Sequence, residues 1–195
     1  MRPRVYHRYA TTGKIGDVAG GHGGAMGPGG GGDLAIGEAY GPARRAAFQA
    51  WLEGGGAFVG VHAASDTEYK WPWYGKMIGG YFAGHPAIQP ATLRPVVKDH
   101  LSTAHLPAEW KRRDEWYNFR NLQEDNQVLI LLDESTYKGG KNGEKHPIAW
   151  CKDVAKGRMF YTAGGHTKES FAEPDFMKHL QGGVLWALRK TEFPK

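Results

Sequence analysis

Of the nine histidines in this 195-residue chain, four stand in contexts that could do chemistry: V-H-A-A at 61–64, G-H-P at 84–86, D-H at 99–100 and G-G-H-T-K-E at 164–169. His62 follows the apolar run 57–61, and His166 follows the apolar run 159–162 in the same way. A histidine at the tip of a buried strand can exchange a proton near neutral pH, or offer a ring nitrogen to a metal. In open α/β sheets the site forms at the C-terminal ends of the strands, so two such histidines can converge. Candidate carboxylates are Asp66 and Glu68, close after His62, the pairs Asp114-Glu115 and Asp133-Glu134 further along the chain, and Glu169 three residues after His166. No H-E-x-x-H or C-x-x-C spacing is present, so acid–base work and a divalent metal ion both remain open as uses of these residues. Aromatic residues accompany them in W-P-W-Y (Trp71, Trp73, Tyr74) and D-E-W-Y-N-F (Trp116, Tyr117), with Tyr137 further on. Trp and Tyr faces stack on sugar rings while polar neighbours take the hydroxyls. The single cysteine, Cys151, lies in the apolar run I-A-W-C with no adjacent base and reads as core.

The elements that must position these residues are legible from residue 42 onward. Pro42 suits a first helical turn, A-R-R-A-A-F-Q-A-W-L-E follows with strong helix formers, and Gly54-Gly55-Gly56 ends the helix. A buried strand over 57–61 comes next. Helix, glycine turn and all-apolar strand together predict a parallel α/β sheet. A short helix is expected from W-P-W-Y to near Gly84, and an extended segment over 88–97. Short strands are expected over 128–132, 148–151 and 159–162, the last two joined as a hairpin through K-D-V-A-K-G-R. A C-terminal helix over 174–189 carries Phe176, Leu180, Val184, Leu185 and Leu188 on one face, and Gly182-Gly183 inside it implies close packing.

The totals bound the rest. Length predicts one domain, and 41% apolar residues with seven tryptophans suffice for a core. The net charge of +5 comes from separate clusters (Arg44-Arg45, Lys111 to Arg113, Lys138 to Lys145) with acidic residues among them, so no nucleic-acid partner is expected. No apolar run is long enough to span a bilayer, and the basic start is not followed by an apolar segment, so a cytoplasmic protein without a membrane partner is expected. Residues 1–41 differ: they hold 13 of the 29 glycines and no useful periodicity, and read as a poorly ordered arm before a domain over 42–195.

G-G-G-A-F-V-G-V-H-A-A-S-D-T-E-Y, W-P-W-Y-G, G-Y-F-A-G-H-P, S-T-A-H-L-P, D-E-W-Y-N-F, L-D-E-S-T-Y-K-G-G, H-P-I-A-W-C and Y-T-A-G-G-H-T-K-E-S-F together resemble the ThuA-like (trehalose utilisation) family over about residues 42–189. The resemblance implies a flavodoxin-like three-layer sandwich with a mainly parallel sheet, similar to class I glutamine amidotransferases. It also implies a link to disaccharide metabolism, with 3-keto sugar intermediates. In that fold the amidotransferase cysteine sits at a sharp strand-to-helix elbow, where G-V-H-A-A places His62. Glutamine hydrolysis through a thioester is therefore excluded. The late histidine and glutamate of the amidotransferases match His166 and Glu169. The implied roles are His62 and His166 as acid–base groups or metal ligands, Glu169 orienting His166, and Asp66 assisting. Trp71, Trp73, Tyr74, His85, Trp116 and Tyr117 would hold a small-molecule sugar. A non-catalytic carbohydrate-binding or regulatory module on the same fold, or a damaged family member, is the alternative. Family members begin with further strands that residues 1–41 do not suggest, so a truncated or frame-shifted start with missing N-terminal strands is expected. Such a sheet would expose an edge, which favours association into oligomers.

Overall fold

The structure is a computed structural model and describes residues 40–193. Apart from Tyr40 and Gly41, the glycine-rich arm and the expected missing strands lie outside the described residues. Three helices, α1 (Pro42–Glu53), α2 (Pro72–Ile78) and α3 (Pro174–Ala187), accompany eight strands. These are β1 (Ala57–Val61), β2 (Tyr81–Gly84), β3 (Gln89–Pro95), β4 (Trp110–Asp114), β5 (Asn118–Arg120), β6 (Gln127–Asp133), β7 (Pro147–Val154) and β8 (Gly157–Thr162). Each helix starts at a proline, whose fixed φ suits the first turn and whose missing N–H costs nothing there. Among the described residues no helix is long and apolar enough to cross a membrane.

The main sheet runs β1-β8-β7-β6-β3-β4, and β2 and β5 form a separate antiparallel pair. The α/β class is as expected, but the mainly parallel sheet is not. Among the described residues only β1 and β8 pair in parallel, and the other four adjacent pairs of the main sheet are antiparallel. The physical reason is that continuous apolar runs report burial on both faces, not strand direction. β7 is buried over six consecutive residues yet antiparallel to both neighbours. It joins β8 through the two-residue turn Ala155-Lys156, with Ala155 at φ +52°, and so short a connection can only reverse the chain.

The parallel pair is where helices cover both faces. Phe160 of β8 faces α3, where a Cβ added at Gly183 would stand 2.4 Å from its ring, and one added at Gly182 would stand 2.3 Å from the Leu101 carbonyl oxygen. Both helix glycines are therefore packing contacts. Tyr161 turns the other way, onto Trp150 and Gly60. Two further expectations need correction. The helix after Trp71 ends at Ile78, capped by left-handed Gly79, and Tyr81–Gly84 is a strand rather than its continuation. Strand β4 went unread because its buried face is Trp110, Arg112 and Asp114.

Candidate functional site

Three strand ends meet at one edge of the β1–β8 pair. β1 ends at Val61, and His62 follows with φ +46°, opening a single 3-10 turn, His62–Ser65. A left-handed residue reverses the backbone at once, so the imidazole projects from the strand tip. The Tyr161 hydroxyl donates to the His62 carbonyl at 2.8 Å and fixes that turn. His62 Nδ1 lies 2.7 Å from the Ala163 carbonyl oxygen, which can only accept. The ring proton therefore sits on Nδ1, and Nε2 presents a lone pair when the ring is neutral.

β8 ends at Thr162, and Gly164-Gly165 bring the chain back to His166. Gly165 has φ +103°, and a Cβ there would sit 3.0 Å from Val61 Cγ1; a Cβ at Gly164 would sit 2.5 Å from Arg112 Nη1. β4 ends at Asp114 and delivers Glu115. His62 Nε2 lies 3.1 Å from Glu115 Oε2 and 3.0 Å from His166 Nδ1, and the last two atoms are 3.2 Å apart. His85, on the loop after β2, places Nδ1 3.1 Å from the other oxygen, Glu115 Oε1, and 2.9 Å from the Pro86 carbonyl oxygen. The Tyr117 ring packs on His62, with centroids 4.0 Å apart. His62 and Glu115 are buried, while the His166 and His85 side chains are 25% and 42% exposed, so the cluster opens to solvent on their side.

Asp114 holds this arrangement from behind. Its fully buried carboxylate accepts from the backbone N–H groups of Gly165 (2.8 Å), His166 (3.2 Å) and Glu115 (3.0 Å), and from the Ser170 hydroxyl (2.9 Å). Arg112 pairs with it at 3.2 Å and reaches Glu173 through Nε and Nη2. One carboxylate thus ties the loop that carries His166 to the residue that carries the second carboxylate.

Burial by itself would raise the Glu115 carboxyl. The hydrogen bond with His62 and the His166, His62 and His85 rings outweigh it and hold the group below its ordinary value. Burial lowers His166, opposed by the Glu115 carboxylate and reinforced by the His62 ring. Burial, with the Glu115 carboxylate beside it, drives the Tyr117 phenol upward.

The other sequence-predicted residues are placed as follows. Glu169 lies exposed on the 3-10 turn Lys168–Ala172, and the carboxylate against His166 is Glu115 instead. Asp66 is buried and accepts from the Tyr69 hydroxyl. Trp71 and Tyr74 are core residues, Tyr74 donating to the Ala64 carbonyl at 2.7 Å. Trp73 is half-buried, stacked on Trp71 and bonded to Glu53. Trp116 is fully buried and donates to the Gln89 carbonyl. Of the aromatic set Tyr117 reaches the cluster. Asp114 and Glu115 had no signal beyond an acidic pair before an aromatic run.

A family model described as trehalose utilisation (ThuA) matches residues 34–187. The fold is similar to a crystal structure described as a putative ThuA-like protein from Parabacteroides merdae, with TM-score 0.69 and 20% identity over 82% of this chain and 70% of that one. A second such protein, from Bacteroides uniformis, gives TM-score 0.62 and 29% identity over 74% of this chain and 63% of that one. A β-galactosidase from Bacillus circulans matches at TM-score 0.52 and 14% identity, with this chain spanning 22% of its length, which is a likeness of fold alone. No curated protein matches the sequence.

Proposed function

The chain belongs to the trehalose-utilisation (ThuA) family, and on that premise we propose that it is an enzyme acting on a disaccharide or its 3-keto derivative at the cluster of His62, Glu115 and His166. The observation that carries this reading is the convergence of three reactive side chains from the ends of β1, β4 and β8, within 3.2 Å of one another and open on one side. Buried polar groups crowded this closely are costly to fold around, and such clusters concentrate at working sites. The sugar enters over His166 and His85, with the Tyr117 ring forming part of the floor. Glu115 stays anionic and opposes the burial that lowers His166, so the cluster can take a proton from a sugar hydroxyl or α-carbon and return it. A thioester route has no nucleophile: Cys151 is buried, and burial pushes its thiol up to about 12.

The test is to incubate the purified chain with trehalose and with 3-keto-trehalose and follow both by proton NMR. Wild type converts one of them; Glu115→Gln, which keeps the shape but loses the charge, loses at least about 100-fold. Equal turnover by the two proteins would refute the assignment. A binding-only module is the second reading. The surface cleft lined by Trp73, Lys76, Leu122, Asp125 and Lys152, at the opposite end of the β7–β8 hairpin, favours it as a place where a sugar could rest on an indole.

A further inference from the structure

We propose that His62, Glu115 and His166 hold one divalent first-row transition-metal ion, through His62 Nε2, Glu115 Oε2 and His166 Nδ1. The proposal rests on reading this cluster as the working site, though its test needs no sugar. Three observations carry it. The first is the donor geometry: the three atoms form a nearly equilateral triangle with sides of 3.0, 3.1 and 3.2 Å. Metal–nitrogen and metal–oxygen bonds of about 2.1 Å place neighbouring ligands about 3.0 Å apart in an octahedron and about 3.4 Å apart in a tetrahedron. The triangle falls between these values, as one face of either polyhedron.

The second observation is that His62 Nε2 and Glu115 Oε2 turn acceptor atoms toward the centre, where His166 Nδ1 meets them. His62 Nδ1–H is committed to the Ala163 carbonyl, so its Nε2 offers a lone pair to the centre. Glu115 Oε2 is an anion, and His166 Nδ1 faces both. With the His62 Nδ1–H committed, the His62 Nε2 lone pair and the Glu115 oxygen lie 3.1 Å apart and need a positive species between them, either a proton or a cation. A dication in that position also takes a lone pair from His166 Nδ1 when that nitrogen is unprotonated.

The third is the outer shell. Two donors are fixed from behind, His62 by the Ala163 carbonyl and Glu115 by His85 on its remaining oxygen, and the Asp114 carboxylate holds the backbone N–H of both Glu115 and His166, which anchors the loop that carries the third. Such orientation of ligands by second partners is what metal sites require. Two imidazoles and one carboxylate on a single face favour zinc, manganese, cobalt or iron(II) over calcium or magnesium, which prefer all-oxygen sets. The open side, between His166 and His85, leaves coordination positions that two adjacent oxygens of a hydroxyketone could fill. A bound ion would supply Lewis-acid polarisation of such a ligand.

The test uses the full chain, stripped with a chelator and titrated with cobalt(II). The expected result is a one-to-one complex with visible absorption bands, displaced by zinc. Removing an outer-shell partner alone costs about 10–100-fold in metal affinity, so His62→Asn and Glu115→Gln should each weaken binding by about 100-fold or more. Glu169→Gln, on the same loop but exposed, should leave it unchanged. X-ray absorption of the zinc-loaded wild type should show scattering from two imidazoles, a readout that stands even if a variant fails to fold. A dissociation constant no tighter than about 1 mM would overturn the proposal. So would affinity unchanged in both variants, or a metal shell without imidazole. Sugar turnover by a protein that binds no metal would leave the acid–base reading standing and the metal site refuted. Metal binding without turnover would do the reverse.

Discussion

Replacing Asp114 by asparagine should damage stability and site together, by an amount that follows from its partners. The carboxylate receives three backbone N–H groups and one hydroxyl, and it pairs with the side chain of Arg112, itself only 2% exposed. Asparagine keeps the volume and one oxygen. With that oxygen on the Oδ1 side it still accepts from Glu115 and His166, but its NH2 now faces the Gly165 N–H and Arg112, which are donors. Leaving a buried donor unsatisfied costs about 1–3 kcal/mol, and breaking one partner of a buried ion pair costs about 3–5 kcal/mol. Arg112 retains Glu173, which moderates the second figure. The expected loss is about 3–5 kcal/mol out of a total near 5–15 kcal/mol. It should appear as a lower denaturant midpoint with an unchanged slope, followed by tryptophan fluorescence. Because the same carboxylate ties down the loop carrying His166, turnover should fall more steeply than the folded fraction. An Asp114→Asn protein with wild-type midpoint and wild-type turnover would refute the idea that Asp114 organises the site.

Acid should destabilise the fold through two histidines remote from the cluster. Burial depresses His100 to about 4, and depresses His179 to about 3 with the help of the Arg112, His105 and His100 charges. The unfolded chain takes up protons on these rings below about pH 6.5, while the folded chain excludes them. Their contribution to stability is therefore complete above pH 6.5 and falls as the pH drops towards 4 and 3, by about 2 kcal/mol each at pH 5. Urea melts at pH 8 and pH 5 should show it, and His179→Leu should remove about half of the change; an identical change in that variant would count against the assignment. Gly165→Ala, strained at φ +103° and crowded by Val61 Cγ1 at 3.0 Å, should cost about 1–3 kcal/mol and displace His166. A crystal structure of that variant with His166 unmoved and turnover intact would contradict the loop argument.

Helix α1, strands β1, β6, β7 and β8 and helix α3 were legible because each carries an apolar period or run bounded by glycine or proline. Direction was legible for the β7–β8 hairpin, whose short connection was expected, but not for the sheet as a whole, since a strand buried on both faces looks the same in either direction. β4 was hidden by its own chemistry: Arg112 and Asp114 are buried as an ion pair, so the inward face of the strand carries charge where the usual pattern has apolar residues. The two site histidines could be found at strand tips, and their meeting follows from the parallel pairing of Val61 with Thr162. The carboxylate could be named only as one of several candidates, with nothing to single it out. Glu169 is three residues from His166 and points to solvent, whereas Glu115 arrives from a strand 51 residues earlier in the chain, and only the sheet order brings it in. Likewise W-P-W-Y stands in polar company in sequence, but its indoles stack on each other beside α1, where Trp73 bonds Glu53.

The most direct measurement is turnover of 3-keto-trehalose by wild type, His62→Asn and Trp73→Ala, alongside the melt of each. Asparagine tolerates the left-handed backbone at position 62, so the fold should survive. The account predicts that His62→Asn melts like wild type and loses at least about 1,000-fold in rate, while Trp73→Ala, once corrected for its folded fraction, turns over normally. Sugar handling unaffected at His62 but lost at Trp73 would contradict it and move the working surface to the opposite end of the sheet.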